Sequence, residues 1–259
     1  MVYVALTIIG VVLGSIYTKI AVNVLDMTKD IDEISKDTLK RSIKILKLDL
    51  GKNTCSTCGA KVSRNPKILK YLIKESNCNN CGACVKTVEI LGEIMTPFVI
   101  IFLYVTFKGD LVEIVPHFIM MSALIISTIT DLIDRIVLDE VVILGLFITL
   151  FSRIMLKNKP ISYLIGSISI FSLMFLVLLL SGGKMGGGDV KLYSVVGMGI
   201  GLSNSILSLS YASMTSLIVM LPLIITKKAN LKTKIPLVPF MWLGVLLTYI
   251  HPIEKILGV

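Results

Sequence analysis

Two aspartates, Asp131 and Asp189, stand 58 residues apart at the edges of long apolar runs and are the groups best suited to chemistry in this chain. Asp131 closes one run within ISTITDLIDRIVLDEVV, which also holds Asp134, Asp139 and Glu140, and Asp189 follows a glycine-rich stretch, GGKMGGGDVK, that begins at Gly182. Ionisable groups in or beside apolar spans are costly and read as functional by default. Two carboxylates carried by separate elements suit aspartyl hydrolysis, in which one deprotonates a water and the other, protonated, polarises a scissile carbonyl. Like-charge repulsion keeps one shared proton between them. Gly186, Gly187 and Gly188 would serve the substrate, because a backbone without Cβ can approach an unwound peptide closely and pair with it like a strand. Plainer readings exist for each acid. Asp131 and Asp134, three apart on one helical face, are also plausible helix-end charges, with Asp134 beside Arg135 the more solvated. Asp139 and Glu140 suit the first turn of a helix, and Asp189 suits a helix cap. The pairing of Asp131 with a glycine-rich Asp189 favours chemistry.

The elements that position these groups must be membrane helices. The chain has 259 residues, of which 54% are hydrophobic and 17% charged, too little charge to cover a soluble domain. Apolar segments near the roughly 20 residues that span a bilayer run over 3–23, 91–107, 112–130, 137–155, 160–181, 190–203, 205–226 and 235–250, the sixth being short. The expected fold is therefore an all-α polytopic membrane protein of about eight transmembrane helices. No cationic region precedes the first segment and no small-residue cleavage site follows it, so it reads as a retained span. With the N-terminus outside, 20 of the 26 Lys and Arg residues fall in the cytoplasmic stretches 24–90, 131–136, 182–191 and 227–234. Both aspartates then lie on the cytoplasmic side. The net charge of +9 reflects this asymmetry and an anionic inner leaflet, and no aromatic-basic surface for nucleic acid is visible.

One polar segment interrupts the pattern. From Met27 to Leu50, apolar residues at helical spacing among charges suggest an amphipathic helix on the membrane or on the next module, or a solvated connector. All five cysteines follow: Cys55 and Cys58, then Cys78 and Cys81, form two CxxC pairs with 19 residues between them, and Cys84 is left over. Four thiolates so spaced can close a tetrahedron around one structural zinc, and a cytoplasmic loop disfavours disulfides. The expected organisation is a first transmembrane helix over 1–25, a cytoplasmic zinc-ribbon-like loop over 26–90, and a membrane-embedded domain over 91–259.

The stretch GGGDVKLYSVVGMGIG, Gly186 to Gly201, closely resembles the GxGD signature and following helix of bacterial prepilin peptidases, the membrane aspartyl proteases of type IV pili and related systems. LGSIYTKIAVNVL in the first span, the paired CxxC loop and IPLVPFMWLG from Ile235 are similar to that family's opening segment, zinc-binding insert and final span. The resemblance implies Asp131 and Asp189 as the catalytic pair. Asp139 stands eight positions after Asp131, as the family's second Asp does, with Leu138 in place of a Pro. It inherits a supporting role, as do Gly186, Gly187, Gly188 and Lys191. The implied substrates are type IV prepilins or pseudopilins, cut after a glycine at the cytoplasmic face of the bacterial plasma membrane. Many members also methylate the new N-terminus with S-adenosylmethionine. Of the loop residues that accompany this second activity, Val88 and Glu89 match, and Ser76-Asn77 and Val85-Lys86-Thr87 depart. A preflagellin-peptidase or presenilin-like protease shares the two aspartates. A reading of another class, an ion-coupled transporter or pilus assembly subunit, would use them to bind protons or ions around a broken helix.

Overall fold

A computed structural model describes residues 1–31, 87–157, 160–182, 185–226 and 236–251. Among the described residues the chain forms seven helices and no strand: α1 Val2–Ile31, α2 Thr87–Thr106, α3 Leu111–Asp134, α4 Asp139–Met155, α5 Pro160–Leu180, α6 Gly187–Ile225 and α7 Val238–Ile250. Four stretches are long and apolar enough to cross a membrane, namely Val2–Leu25, Leu111–Asp134, Pro160–Leu180 and Gly187–Pro222; Ile90–Thr106 and Val238–Ile250 are shorter apolar helices. Large apolar side chains such as Phe147, Ile161 and Leu217 remain exposed, as they must where the surroundings are lipid rather than water. The molecule is a polytopic helical membrane protein.

Two expectations change in detail. The first helix does not stop near residue 25 but continues to Ile31, so the start of the expected amphipathic segment prolongs α1. The remainder of that segment, with Cys55, Cys58, Cys78, Cys81 and Cys84, lies outside the described residues. The spans expected over 190–203 and 205–226 form one 39-residue element, α6, made of two helices that meet at a kink. Gly201 marks the seam, with φ 76° and ψ 172°, a backbone conformation open essentially to glycine alone.

The chain divides into two compact units, Met1–Phe102 and Leu103–Val259. In the first, Gly10 and Gly14, spaced as small-xxx-small, let α1 meet α2 backbone to backbone at Pro97 and Gly92. Without a hydrophobic drive in lipid, such close packing is what associates helices. Thr18 and Thr96 turn their hydroxyls inward, to the carbonyls of Gly14 at 2.9 Å and Gly92 at 2.8 Å.

The second unit is built around α6, which packs most extensively on α5 and α7 and also meets α3 and α4. Its core joins Met120, Leu124 and Ile129 of α3 to Leu192 and Val196 of α6 and Met241 of α7. Arg153 is wholly buried near the end of α4, and its guanidinium lies 3.6 Å above the ring of Tyr163 and 3.6 Å from the Glu113 carboxylate. It donates to the carbonyl of Gly199, two residues before the Gly201 break. Asn204 and Ser205 bond the carbonyls of Ile200 and Gly201. Three side chains thus take up carbonyls at a seam where helical bonding is interrupted.

Candidate functional site

Asp131 occupies the last turn of α3. The helix stops there because Arg135 adopts a left-handed conformation, φ 57° and ψ 40°, and returns its N–H to the Asp131 carbonyl at 3.0 Å. The Asp131 side chain is buried, 6% exposed, and its Oδ2 accepts the N–H of Val238 at 3.0 Å. The amide of Leu237 also bonds to it. These donors belong to the start of α7, where the first amides have no partner within their own helix and the helix dipole favours a carboxylate. Residue 131 thereby caps a helix that begins more than 100 residues later.

Asp189 stands in the first turn of α6, whose cap is Gly186. Its carboxylate folds back onto the Gly186 N–H, and its own N–H meets the Gly186 carbonyl at 3.2 Å, one half of a capping box. The cap residue is thus Gly186 and not Asp189, which stands at the third position of the helix. The three glycines before it differ in what surrounds them. A Cβ on Gly186 would stand 3.0 Å from Asp189 Oδ2, and one on Gly188 would stand 2.8 Å from Val137 Cβ, in the linker between α3 and α4. A Cβ on Gly187 would meet nothing within 4 Å. Gly188 lets the start of α6 press against the segment that follows Asp131.

Asp131 and Asp189 stand at these adjoining helix ends, within electrostatic range of each other. Asp139 and Lys191 meet, the Lys191 ammonium bonding both carboxylate oxygens at 2.8 and 2.9 Å. Both side chains are about half exposed, so this ion pair ties the start of α4 to α6 at the rim. Asp139 and Glu140 occupy the first turn of α4, as their plainer reading had it. Asp134 is half-buried, more exposed than Asp131. Glu89 sits in the first turn of α2. Beside the rim pair opens an apolar groove of about 490 Å³ between α4, α5 and α6, lined by Val142, Leu146, Leu164, Ile168 and Phe171 among others.

The Val238 and Leu237 amides are the site groups that the sequence does not reveal. Proline at the second position of α7 marks a helix start, but nothing in the residues says that this start receives Asp131.

The fold is that of a polytopic helical membrane protein with two acids within electrostatic range of each other, one where α3 ends and one where α6 begins. Residues 118–221 match the model of the type IV leader peptidase family. This segment holds Asp131, Asp139, the glycine run and Asp189, and it leaves α1, the cysteine loop and α7 outside. No curated protein and no solved structure matches the chain.

Proposed function

We propose that the protein is a membrane aspartyl endopeptidase that removes the basic leader of type IV prepilins or pseudopilins after a glycine, at the cytoplasmic face of the plasma membrane. Asp131 and Asp189 are the catalytic pair. The observation that supports this reading is that these two carboxylates, 58 residues apart, stand within electrostatic range of each other inside the segment that matches the leader peptidases. One carboxylate takes a proton from water as its oxygen bonds to the scissile carbonyl carbon, and the other, protonated, donates to the carbonyl oxygen. Collapse of the tetrahedral intermediate breaks the C–N bond, and a proton passes to the departing amine. Gly187, open on its Cβ side, is the glycine best placed to receive an unwound peptide, and the Asp139–Lys191 pair steadies the rim. An ion-coupled transporter is not favoured, because the carboxylates belong to the segment that matches the leader peptidases.

Outside the described residues, the proposal includes a structural zinc on Cys55, Cys58, Cys78 and Cys81, whose four thiolates suit a closed tetrahedral site. Methylation of the new N-terminus from S-adenosylmethionine, with Glu89 at the edge of the loop, is a separate activity with its own readout, the mass of one added CH2 on the mature pilin.

The deciding experiment co-expresses a prepilin with the enzyme and follows its shortening. Asp131→Asn and Asp189→Asn should each abolish cleavage, whereas Asp134→Asn should retain most of it. Full activity in either of the first two variants overturns the assignment of the pair.

A further inference from the structure

Two buried hydroxyls, each on a residue one helical turn from an aspartate, have no hydrogen-bond partner among the described residues. Tyr193 lies one turn after Asp189 on the same face of α6, and a helical side chain leans toward the N-terminus of its helix, here toward Asp189. Its side chain is 0% exposed, and its hydroxyl has no hydrogen-bond partner among the described residues. Tyr193 lies within electrostatic reach of Asp189. Ser127 lies one turn before Asp131 on the same face of α3, so Asp131 leans toward it. Its side chain is 1% exposed, and its hydroxyl does not take the usual bond to the preceding turn and also lacks a partner among the described residues.

Both residues belong to the turn next to the one that carries each aspartate, Ser127 four before Asp131 and Tyr193 four after Asp189. Buried polar groups of this kind are ordinarily satisfied by protein or by ordered water, and a buried water needs two to four polar partners. Around these acids the unfilled partners include a serine hydroxyl on α3 and a tyrosine hydroxyl on α6. Hydrolysis inside an apolar bundle must also keep water where lipid and side chains exclude it.

We propose that Ser127 and Tyr193 hold the hydrolytic water against Asp131 and Asp189, forming the inner floor of the site. The inference rests on the reading of the two aspartates as the catalytic pair. The hydroxyls are positioning residues: they orient the water and leave proton transfer to the carboxylates. No residue outside the pair is required to change its covalent state.

The test uses the full-length enzyme in detergent with an intact prepilin. Tyr193→Phe removes one oxygen and keeps the ring, and Ser127→Ala removes one oxygen from a small side chain. Each should lower kcat by about tenfold or more, the scale on which a single placed donor acts, with KM and thermal midpoint held close to wild type. A packing role would move the midpoint, and a substrate-contact role would move KM, so either pattern with kcat preserved overturns the proposal. Should Tyr193→Phe prove unstable, Ser127→Ala decides alone. Asp131→Asn and Asp189→Asn accompany the set. If both are inactive while the hydroxyl variants turn over like wild type, the water-holding role alone fails. If an Asn variant still cleaves, the catalytic pair fails and the inference falls with it.

Discussion

Gly186, Gly187 and Gly188 are one residue type with three sets of neighbours, and substitution should separate them. Gly188→Ala brings a methyl to within 2.8 Å of Val137 Cβ, so α6 must draw back from the linker after Asp131. Cleavage should fall by an order of magnitude or more, together with a lowered thermal midpoint. Gly187→Ala has open space and lies in helical backbone, where alanine restricts the unfolded chain and adds about 0.4–1 kcal/mol of stability. It should be as stable as wild type or more so, and any loss of activity in it would mark the place where substrate backbone passes. The Asp139–Lys191 pair is half exposed, and such pairs contribute about 0–1 kcal/mol. Asp139→Asn should therefore leave the thermal midpoint nearly unchanged in a melting experiment, and high salt should mimic it.

At the scale of elements, the break in α6 is the feature with the clearest energetic signature. Gly201→Ala would force a Cβ into a conformation reserved for glycine, at a cost of about 1–3 kcal/mol, visible as a lowered melting temperature. Arg153→Met keeps length and apolar contact but leaves the Gly199 carbonyl without its donor, so it should be destabilising in the same assay. Much of this layer was legible in the residues. Apolar runs of membrane length located the helices, because in lipid only a self-satisfied helix tolerates such a run. The kink at Gly201 lies close to the gap expected between the spans 190–203 and 205–226, which hydropathy locates only to within a few residues because it does not mark the backbone angle at which a helix breaks. The burial of Arg153 is not legible, because a sequence carries no sign of the carbonyl or the aromatic ring waiting for a guanidinium. The aspartates were legible through their apolar setting and their spacing. The donors at Val238 and Leu237 were not, because a backbone amide has no sequence signature. Ser127 and Tyr193 lay within quoted motifs, yet a buried hydroxyl is recognisable only when its missing partner is.

For the molecule as a whole, the distribution of Lys and Arg makes orientation a measurable property. Single cysteines introduced at residues 134 and 185 of a background with the native cysteines replaced should react with a membrane-impermeant thiol reagent only after the inner leaflet is opened. A cysteine at residue 157 should react in intact cells. The reverse pattern would place both carboxylates on the wrong side for a leader that remains cytoplasmic. If the paired cysteines bind zinc, elemental analysis of purified protein should give about one zinc per chain, and Cys55→Ser with Cys78→Ser should abolish it.

The bond from Val238 to Asp131 also sets an order in time. A ribosome delivers residue 131 to the membrane long before residue 238, and until α7 has emerged the carboxylate near the end of α3 lacks the amides that hold it. A nascent chain with both aspartates already inserted is therefore still an unfinished protease. Competence to cut arrives with the last described helix, so a cell synthesising this enzyme beside its substrates is spared an active site on half-made chains.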